Sequence, residues 1–291
     1  MSEIRHAATV ADRAALGAMR ASLATNPVAI TRASYDQLLE RVPAADSVGY
    51  SEGNVGGVPG VWCTPASHGE KDAMLYLHGG VFLLGSARAY RNFVGQIAAR
   101  ARVRAFVADY RLAPEHPFPA AHDDARAAYR GLVAQFGARH VAVVGDSAGG
   151  GLALSVLQDE RDARCGVLLS PWTDLALTGA TIDSKAGDDP LLSRVGLEAA
   201  ARQYLGDHDR RDARVSPLYG VARGNPSIQV HVGTSEVLLD DSLRLKDQDR
   251  IEVHVWDDMP HVFPSNIGLF EATREALDVI ATFICTQLTV E

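Results

Sequence analysis

One serine of this chain has the surroundings that a nucleophile requires. Residues 145–149 read Gly-Asp-Ser-Ala-Gly, with an apolar run before them and a predicted helix directly after them. Glycines on both sides of Ser147 allow the tight strand-to-helix turn that presents a hydroxyl at a sheet edge. The amino end of the following helix would place N–H groups and a positive dipole near a developing oxyanion. The pattern therefore predicts that Ser147 attacks a carbonyl carbon.

A histidine and two carboxylates farther along the chain could activate this serine. His261 follows the predicted strand 251–255 by a short loop, a position from which a general base can reach a nucleophile. Glu236 follows the predicted strand 228–232, and its carboxylate would hold the imidazole in the tautomer that accepts the serine proton. Asp240 is the alternative acid, and Glu236 is favoured because it lies nearer to the end of the strand.

Backbone N–H groups for an oxyanion hole are predicted in two places. Gly79 and Gly80 follow the predicted strand 74–77, and glycines allow a substrate carbonyl to approach the backbone closely. Ala148, the residue after the nucleophile, is the expected further donor. Val81 also has an N–H group, but its β-branched side chain resists a positive φ angle and crowds the pocket. It is therefore the weakest of these candidates.

The elements that must position these residues alternate regularly from residue 74 onward. Their strands are continuous apolar runs, which is typical of a mostly parallel sheet covered by helices on both faces, an α/β fold. The predicted strands are 74–77, 103–108, 141–144, 166–169, 228–232 and 251–255, and the predicted helices are 90–101, 120–136, 150–157 and 269–285.

Two parts of the chain do not follow this alternation. Residues 1–45 are mostly helical in pattern, and residues 178–218 form an insertion between two strands. We predict that both parts cover the sheet edge as a helical cap, and that residues 46–291 form the catalytic domain, which begins with a hairpin at 48–65. The helices predicted in the two cap parts are 11–23, 31–42 and 193–205.

The composition argues against several classes of function. The chain has 291 residues and a formal net charge of −8, which repels phosphate backbones, so nucleic acid is not an expected partner. No apolar run approaches the roughly 18 residues of a membrane span, and no signal-peptide pattern opens the sequence. With three scattered cysteines, the expected location is the cytoplasm. The sequence lacks a metal-ligand motif, so no metal or cofactor is expected, and the choice between monomer and homodimer is left open.

Four motifs together resemble the hormone-sensitive lipase-like branch of the α/β-hydrolases, the bacterial family IV carboxylesterases. They are residues 78–80, residues 109–120, residues 145–150, and the carboxyl-terminal acid and histidine. The resemblance covers essentially the whole chain, including the helices near the amino terminus. The resemblance implies an α/β-hydrolase fold with a helical cap, and a triad in the chain order serine, acid, histidine. The family usually has a third glycine where Val81 stands, and this departure puts the donor role of that residue in doubt.

The resemblance also implies the reaction, which is hydrolysis of short- to medium-chain carboxylic esters through an acyl-enzyme. Phe82, Trp172 and Tyr204 are candidates for an apolar substrate pocket, although such side chains are more often core. A lactone hydrolase is the main alternative, because a lactone is chemically an ester. A non-catalytic small-molecule receptor is the alternative from another class; relatives of that kind have lost a triad residue, whereas all three are present here.

Overall fold

The computed structural model describes residues 2–25, 30–220, 224 and 226–289. Within them, strands and helices alternate after residue 73 as the sequence predicts. The strands are β1 (Ser2–His6), β2 (Val48–Val55), β3 (Val58–Pro65), β4 (Ala73–Leu77), β5 (Arg104–Ala108), β6 (Val141–Asp146), β7 (Cys165–Leu169), β8 (Ser227–Gly233) and β9 (Ile251–Trp256). The α-helices are α1 (Val10–Thr25), α2 (Arg32–Leu39), α3 (Ala87–Ala101), α4 (Ala120–Phe136), α5 (Ser147–Asp159), α6 (Thr181–Ser184), α7 (Arg194–Leu205), α8 (Leu239–Leu243) and α9 (Glu271–Thr289).

The strands form one sheet in the order β1-β9-β8-β7-β6-β4-β5-β3-β2. Strand β3 runs antiparallel to both β2 and β5, and every other neighbouring pair is parallel. Helices α3, α4 and α5 connect successive parallel strands. Because parallel strands end at the same edge, the loops after β4, β6, β7, β8 and β9 meet at the carboxyl edge of the sheet.

The central strands bury side chains on both faces of the sheet. Leu75 and Leu77 of β4 pack into one core with α4 and α5, whereas Met74 and Tyr76 of the same strand pack into a second core with α3 and α9. Successive side chains of a strand point to opposite faces, so a strand covered on both sides is apolar at nearly every position. This confirms the interpretation of the continuous apolar runs as strands of a doubly covered sheet.

Several features of the fold differ from the prediction, among them the short helices α6 and α8, which were not predicted. Residues 2–6 form β1, a parallel strand beside β9 at the sheet edge, where the sequence predicted no strand. This segment mixes polar and apolar residues, so its conformation depends on pairing with β9 rather than on its own pattern. Helix α5 begins at Ser147 and not at residue 150 as predicted, so the serine itself opens the helix. The predicted hairpin at 48–65 is confirmed.

The helices outside the alternation pack near the carboxyl edge. Leu16 of α1 shares a small apolar cluster with Met259 and Phe263 of the loop after β9. Tyr204 of α7 stacks on Phe82 of the loop after β4, with ring centroids 3.9 Å apart. The division of the chain into a cap and a catalytic domain stays a prediction. Among the described residues, no helix combines the length and apolarity needed to cross a lipid bilayer.

Candidate active site

Loops at the carboxyl edge of the sheet carry the catalytic candidates. The loop after β4 carries Gly79, and the elements after β6, β7, β8 and β9 carry Ser147, Ser170, Glu236 and His261. Parallel topology brings these residues together although they are distant in sequence. The serine and the histidine are 114 positions apart in the chain, yet their side chains are 2.9 Å apart.

Ser147 lies at a sharp turn between β6 and α5. Its φ angle is +53°, in the left-handed region that residues other than glycine seldom occupy. A Cβ at Gly145 would lie 2.3 Å from the carbonyl oxygen of Gly149, and a Cβ at Gly149 would lie 2.1 Å from that of Leu77. Only glycine fits at these two positions, so the motif permits the turn that presents the serine. The strained backbone at Ser147 is of the kind that is concentrated at functional sites.

Ser147, His261 and Glu236 form one hydrogen-bonded line. Glu236 Oε2 lies 2.7 Å from His261 Nδ1, and His261 Nε2 lies 2.9 Å from Ser147 Oγ. An ionised carboxylate only accepts hydrogen bonds, so Nδ1 carries the proton, and in the neutral ring Nε2 is left to accept from the serine hydroxyl. This tautomer is the one in which the histidine can take the serine proton.

The carboxylate of Glu236 is fully buried and has a partner for each oxygen. Its Oε1 accepts from Ser170 Oγ at 2.7 Å and from the Gly233 N–H at 2.8 Å, which leaves Oε2 for the histidine. Asp240, the alternative acid, lies in α8 and accepts instead from the N–H of Thr181 at 3.1 Å. The geometry brings Glu236, and not Asp240, to the imidazole.

The surroundings of His261 raise its pKa above the ordinary value. Burial by itself would lower this pKa, but the hydrogen bond and the charge of Glu236 outweigh burial, and the carboxylates of Asp189 and Asp146 act in the same direction as Glu236. A raised pKa favours the imidazolium that a general base forms when it takes a proton. Among the described residues, no group of histidine, cysteine and carboxylate side chains is arranged to hold a metal ion.

The predicted oxyanion donors lie on residues 78–86, which we call the oxyanion loop, and on Ala148. The Gly79 N–H donates to Asp146 Oδ1 at 2.9 Å, so the prediction that Gly79 supplies an oxyanion donor is wrong. Glycine is still required there, since a Cβ would lie 2.3 Å from Asp146 Oδ2. No acceptor for the Gly80 N–H is found in the described part of the chain, and the Ala148 N–H, in the first turn of α5, has no partner within its helix. These two N–H groups are the remaining main candidates. No acceptor for the Val81 N–H is found among the described residues either, so Val81 stays the weaker candidate.

Val81 and Phe82 both adopt positive φ angles, +51° and +64°. The β-branch of Val81 disfavours such an angle, as the sequence predicts, yet the backbone adopts it here. The turn is closed by the N–H groups of Leu83 and Leu84, which both donate to the Gly80 carbonyl at 2.9 Å. Two consecutive non-glycine residues in this region are costly, so contacts from the rest of the protein must hold the loop in place.

Phe82, Trp172 and Tyr204 lie together beside this loop. Phe82 and Tyr204 stack with an interplanar angle of 6°, and the Trp172 ring lies 6.0 Å from that of Phe82. All three side chains are buried in the core that contains α4 and α5. They join the oxyanion loop to α7, and their role in a substrate pocket stays a prediction.

Ser170 takes part in the site although the sequence analysis did not identify it. Its Oγ donates to Glu236 Oε1 and accepts from the Val262 N–H at 3.0 Å. One hydroxyl therefore holds together the acid and the loop that carries His261. The signal that could have identified Ser170 is its position directly after a predicted apolar strand, which resembles that of the other site residues.

Proteins of known class are similar to this chain over most of its length. Residues 74–265 match the family described as the alpha/beta hydrolase fold. An acetyl-hydrolase from Streptomyces hygroscopicus is 35% identical over 271 residues, which cover 88% of this chain and 89% of that protein. An esterase from Acinetobacter venetianus is 35% identical over 222 residues, which cover 72% of this chain and 73% of that protein. The crystal structure of an esterase from the bacterial hormone-sensitive lipase family superposes with a TM-score of 0.89 at 34% identity, covering 96% of this chain and 99% of the other.

Proposed function

We propose that Ser147, His261 and Glu236 are the catalytic triad of this chain, which belongs to the alpha/beta hydrolase fold family and to its hormone-sensitive lipase-like branch. The protein is a carboxylic ester hydrolase, like the esterases and the acetyl-hydrolase to which it is similar. The observation that carries the triad is the unbroken line of hydrogen bonds, 2.9 Å and 2.7 Å long, from the serine hydroxyl to a buried carboxylate.

In the first step, His261 Nε2 accepts the proton of Ser147 while the serine oxygen attacks the ester carbonyl carbon. The carbonyl oxygen becomes an oxyanion, to which the N–H groups of Gly80 and Ala148 donate in a partly water-excluded site. Glu236 stabilises the imidazolium that forms on His261. The imidazolium then donates its proton to the departing alcohol oxygen, and the serine is left acylated.

In the second step, a water molecule attacks the acyl-enzyme. His261 accepts a proton from the water, the same two N–H groups bind the second oxyanion, and the proton passes to Ser147 Oγ as the carboxylic acid leaves. The enzyme returns to its starting state, so one water is consumed for each ester cleaved.

We further propose that the substrates carry short to medium acyl chains. Ser147 and His261 are only 5% and 8% exposed, which favours a narrow approach to the nucleophile. Val81 adds a branched side chain to the oxyanion loop, where a glycine would leave more room. The name of the similar acetyl-hydrolase refers to a two-carbon acyl group. A Val81→Gly variant should therefore turn over longer p-nitrophenyl esters better relative to the acetate than the parent does, and an unchanged chain-length profile would contradict this role.

Helices α1, α2, α6 and α7 are proposed to form the cap over this entrance. Two contacts support that arrangement. Arg13 of α1 donates to Asp258 in the loop that leads to the catalytic histidine, at 2.8 Å. In the insertion, Asp189 accepts from the N–H of Val237, the residue after the proposed acid, also at 2.8 Å. The two cap parts are therefore attached to the loops that carry the triad.

The triad is tested by replacing the proposed nucleophile. Ser147→Ala should lower kcat for p-nitrophenyl acetate by about ten-thousandfold or more, because no acyl-enzyme can form. The variant should also lose labelling by a fluorophosphonate probe. Ser155→Ala is the matched control, since Ser155 is a buried serine of the same helix whose hydroxyl donates to the Arg214 carbonyl at 3.1 Å. Turnover by Ser147→Ala within tenfold of the parent would refute the assignment.

A further inference from the structure

The carboxylate of Asp146, the residue before the nucleophile, is 1% exposed and has three donors. Oδ1 accepts from the Gly79 N–H at 2.9 Å and from the Tyr76 hydroxyl at 2.8 Å, and Oδ2 accepts from the Tyr90 hydroxyl at 3.1 Å. Asp146 therefore joins the nucleophile turn to the oxyanion loop. No step of the proposed reaction uses this carboxylate, so its burial calls for another explanation.

A further hydroxyl extends this network to helix α2. Tyr35 OH lies 2.9 Å from Tyr90 OH. Each hydroxyl has one proton, and Tyr90 gives its proton to Asp146, so Tyr35 must donate to Tyr90. Burial and then the charge of Asp146 raise the pKa of both tyrosines, so both remain protonated donors at neutral pH. Helix α2 is thus connected to the residue before the nucleophile through one intervening hydroxyl.

Two more contacts attach α2 to the same loop. Arg32 Nε donates to the carbonyl oxygen of Leu83 at 2.8 Å, and Ser86 Oγ donates to Asp36 at 2.8 Å. The oxyanion loop is therefore held by α2 at two points on its surface and, through Asp146, near its beginning. This attachment is needed because the backbone of the loop is strained at two successive residues.

We propose that Asp146 is the positioning residue of the oxyanion hole, and that Tyr35 of helix α2 acts on it through Tyr90. The inference rests on the proposed function, because the loop has this task only if Gly80 donates to an oxyanion. Asp146 holds the N–H of Gly79, which belongs to the peptide group next to the one that carries the Gly80 N–H. The direction in which Gly80 donates therefore depends on where Asp146 is held.

The tyrosine hydroxyls matter because a buried carboxylate is costly unless donors surround it. Burial raises the pKa of Asp146 to about 6, and the hydrogen bonds from Tyr76, Tyr90 and the Gly79 N–H oppose that rise, as does nearby His261. Removing a donor favours the protonated acid or a shifted carboxylate. In either case Oδ1 holds the Gly79 N–H less firmly.

The inference is tested with tyrosine-to-phenylalanine variants, which keep each ring and remove only a hydroxyl. The test set is Tyr35→Phe, Tyr90→Phe and the double variant. Tyr129→Phe is the matched control, because Tyr129 is a buried tyrosine that also donates to a carboxylate, Asp162 Oδ1 at 2.8 Å, but lies on α4 away from the network. The measurements are kcat and KM with p-nitrophenyl acetate, inhibition by a trifluoromethyl ketone, and thermal unfolding.

The network predicts a specific pattern of losses. Tyr35→Phe should lower kcat about threefold to tenfold, which is the effect expected of one indirect hydrogen bond, and Tyr90→Phe about tenfold to a hundredfold, because it removes a donor to Asp146 itself. KM should change less than twofold. Affinity for the trifluoromethyl ketone, whose adduct with the serine bears an oxyanion, should fall by the same factor as kcat. The double variant should match Tyr90→Phe, because Tyr35 acts only through Tyr90.

Several results would overturn the inference. The first is that Tyr35→Phe and Tyr129→Phe have the same kcat, the same inhibitor affinity and a similar loss of thermal stability. The Tyr35 hydroxyl would then have only a structural role. Another is a loss confined to KM, and a third is a double variant whose losses simply multiply. The Ser147→Ala variant in the same series separates this inference from the proposed function. If Ser147→Ala is inactive while the tyrosine variants behave like Tyr129→Phe, only the positioning role fails.

Discussion

The identity of the catalytic acid can be decided with the Glu236→Gln variant. Glutamine keeps the shape of the side chain, and its oxygen can still accept from Ser170 Oγ and the Gly233 N–H, as Oε1 does in the parent. Its NH₂ group then faces His261 Nδ1, where the parent has an acceptor at 2.7 Å. A donor would face a donor, so the imidazole would move its proton to Nε2. In that tautomer the ring cannot accept the proton of Ser147.

The size of the loss follows from two contributions. At an effective dielectric constant of about 20, a carboxylate about 4 Å from the imidazolium charge stabilises it by about 4 kcal/mol. Restoring the active tautomer against an opposed donor adds about 1 kcal/mol or more. Since about 1.4 kcal/mol corresponds to tenfold in rate, kcat should fall between about a thousandfold and ten-thousandfold.

Asp240→Asn is the matched control for this measurement. The asparagine oxygen can still accept from the Thr181 N–H, so kcat/KM should stay within about threefold of the parent. Both variants are assayed with p-nitrophenyl acetate at pH 8, and their thermal unfolding is recorded to show that each is folded. The reasoning is refuted if Glu236→Gln keeps activity within tenfold of the parent, or if Asp240→Asn loses more activity than Glu236→Gln.

Three further predictions concern pH and neighbouring residues. Because the pKa of His261 is raised above 6.5 and the base must be neutral, kcat/KM should fall about tenfold per pH unit on acidification below this pKa, and a flat profile from pH 5 to 8 would contradict a histidine base. Ser170→Ala should lower kcat/KM about tenfold through lost support of Glu236 and the histidine loop, whereas parental kcat/KM would remove Ser170 from the site. Burial raises the pKa of Asp241 from 3.8 to about 8, so between these pH values the folded protein keeps a proton that the unfolded chain has lost. The free energy of unfolding should therefore decrease as the pH rises from about 4 to about 8, by at most about 1.4 kcal/mol per pH unit. In urea unfolding, the free energy of unfolding of Asp241→Asn should decrease less steeply with pH than that of the parent. Equal pH slopes for the two proteins would contradict this prediction.

The nucleophile turn and most of the sheet could be predicted because their signals are local. Only glycine fits at positions 145 and 149, because a Cβ there would lie 2.3 Å and 2.1 Å, respectively, from a backbone oxygen. This requirement is visible in the sequence as a glycine motif. Strands buried on both faces leave continuous apolar runs. The short strand β1 was not predicted, because its pairing partner β9 lies about 250 positions away and its own residues have no strand pattern.

The donor set of the oxyanion loop could be predicted only in part. Two glycines after a strand indicate close approach of a ligand or of the backbone, but they do not say which N–H is free. The Gly79 N–H is engaged because the side chain of Asp146, 67 positions later, points at it. Likewise, a positive φ at Val81 contradicts the local preference of valine, and tertiary contacts override that preference.

Residue types, their order and their places after apolar strands were enough by themselves to determine the fold class and to nominate Ser147, Glu236 and His261. These features depend on local sterics at the glycines and on continuous apolar runs, both of which are visible in the sequence. Only the tertiary structure decided that Glu236 rather than Asp240 reaches the imidazole, that Ser170 supports it, and that a helix near the amino terminus is connected to Asp146. These contacts are hydrogen bonds between side chains that are far apart in sequence, and a local sequence pattern carries no information about such contacts.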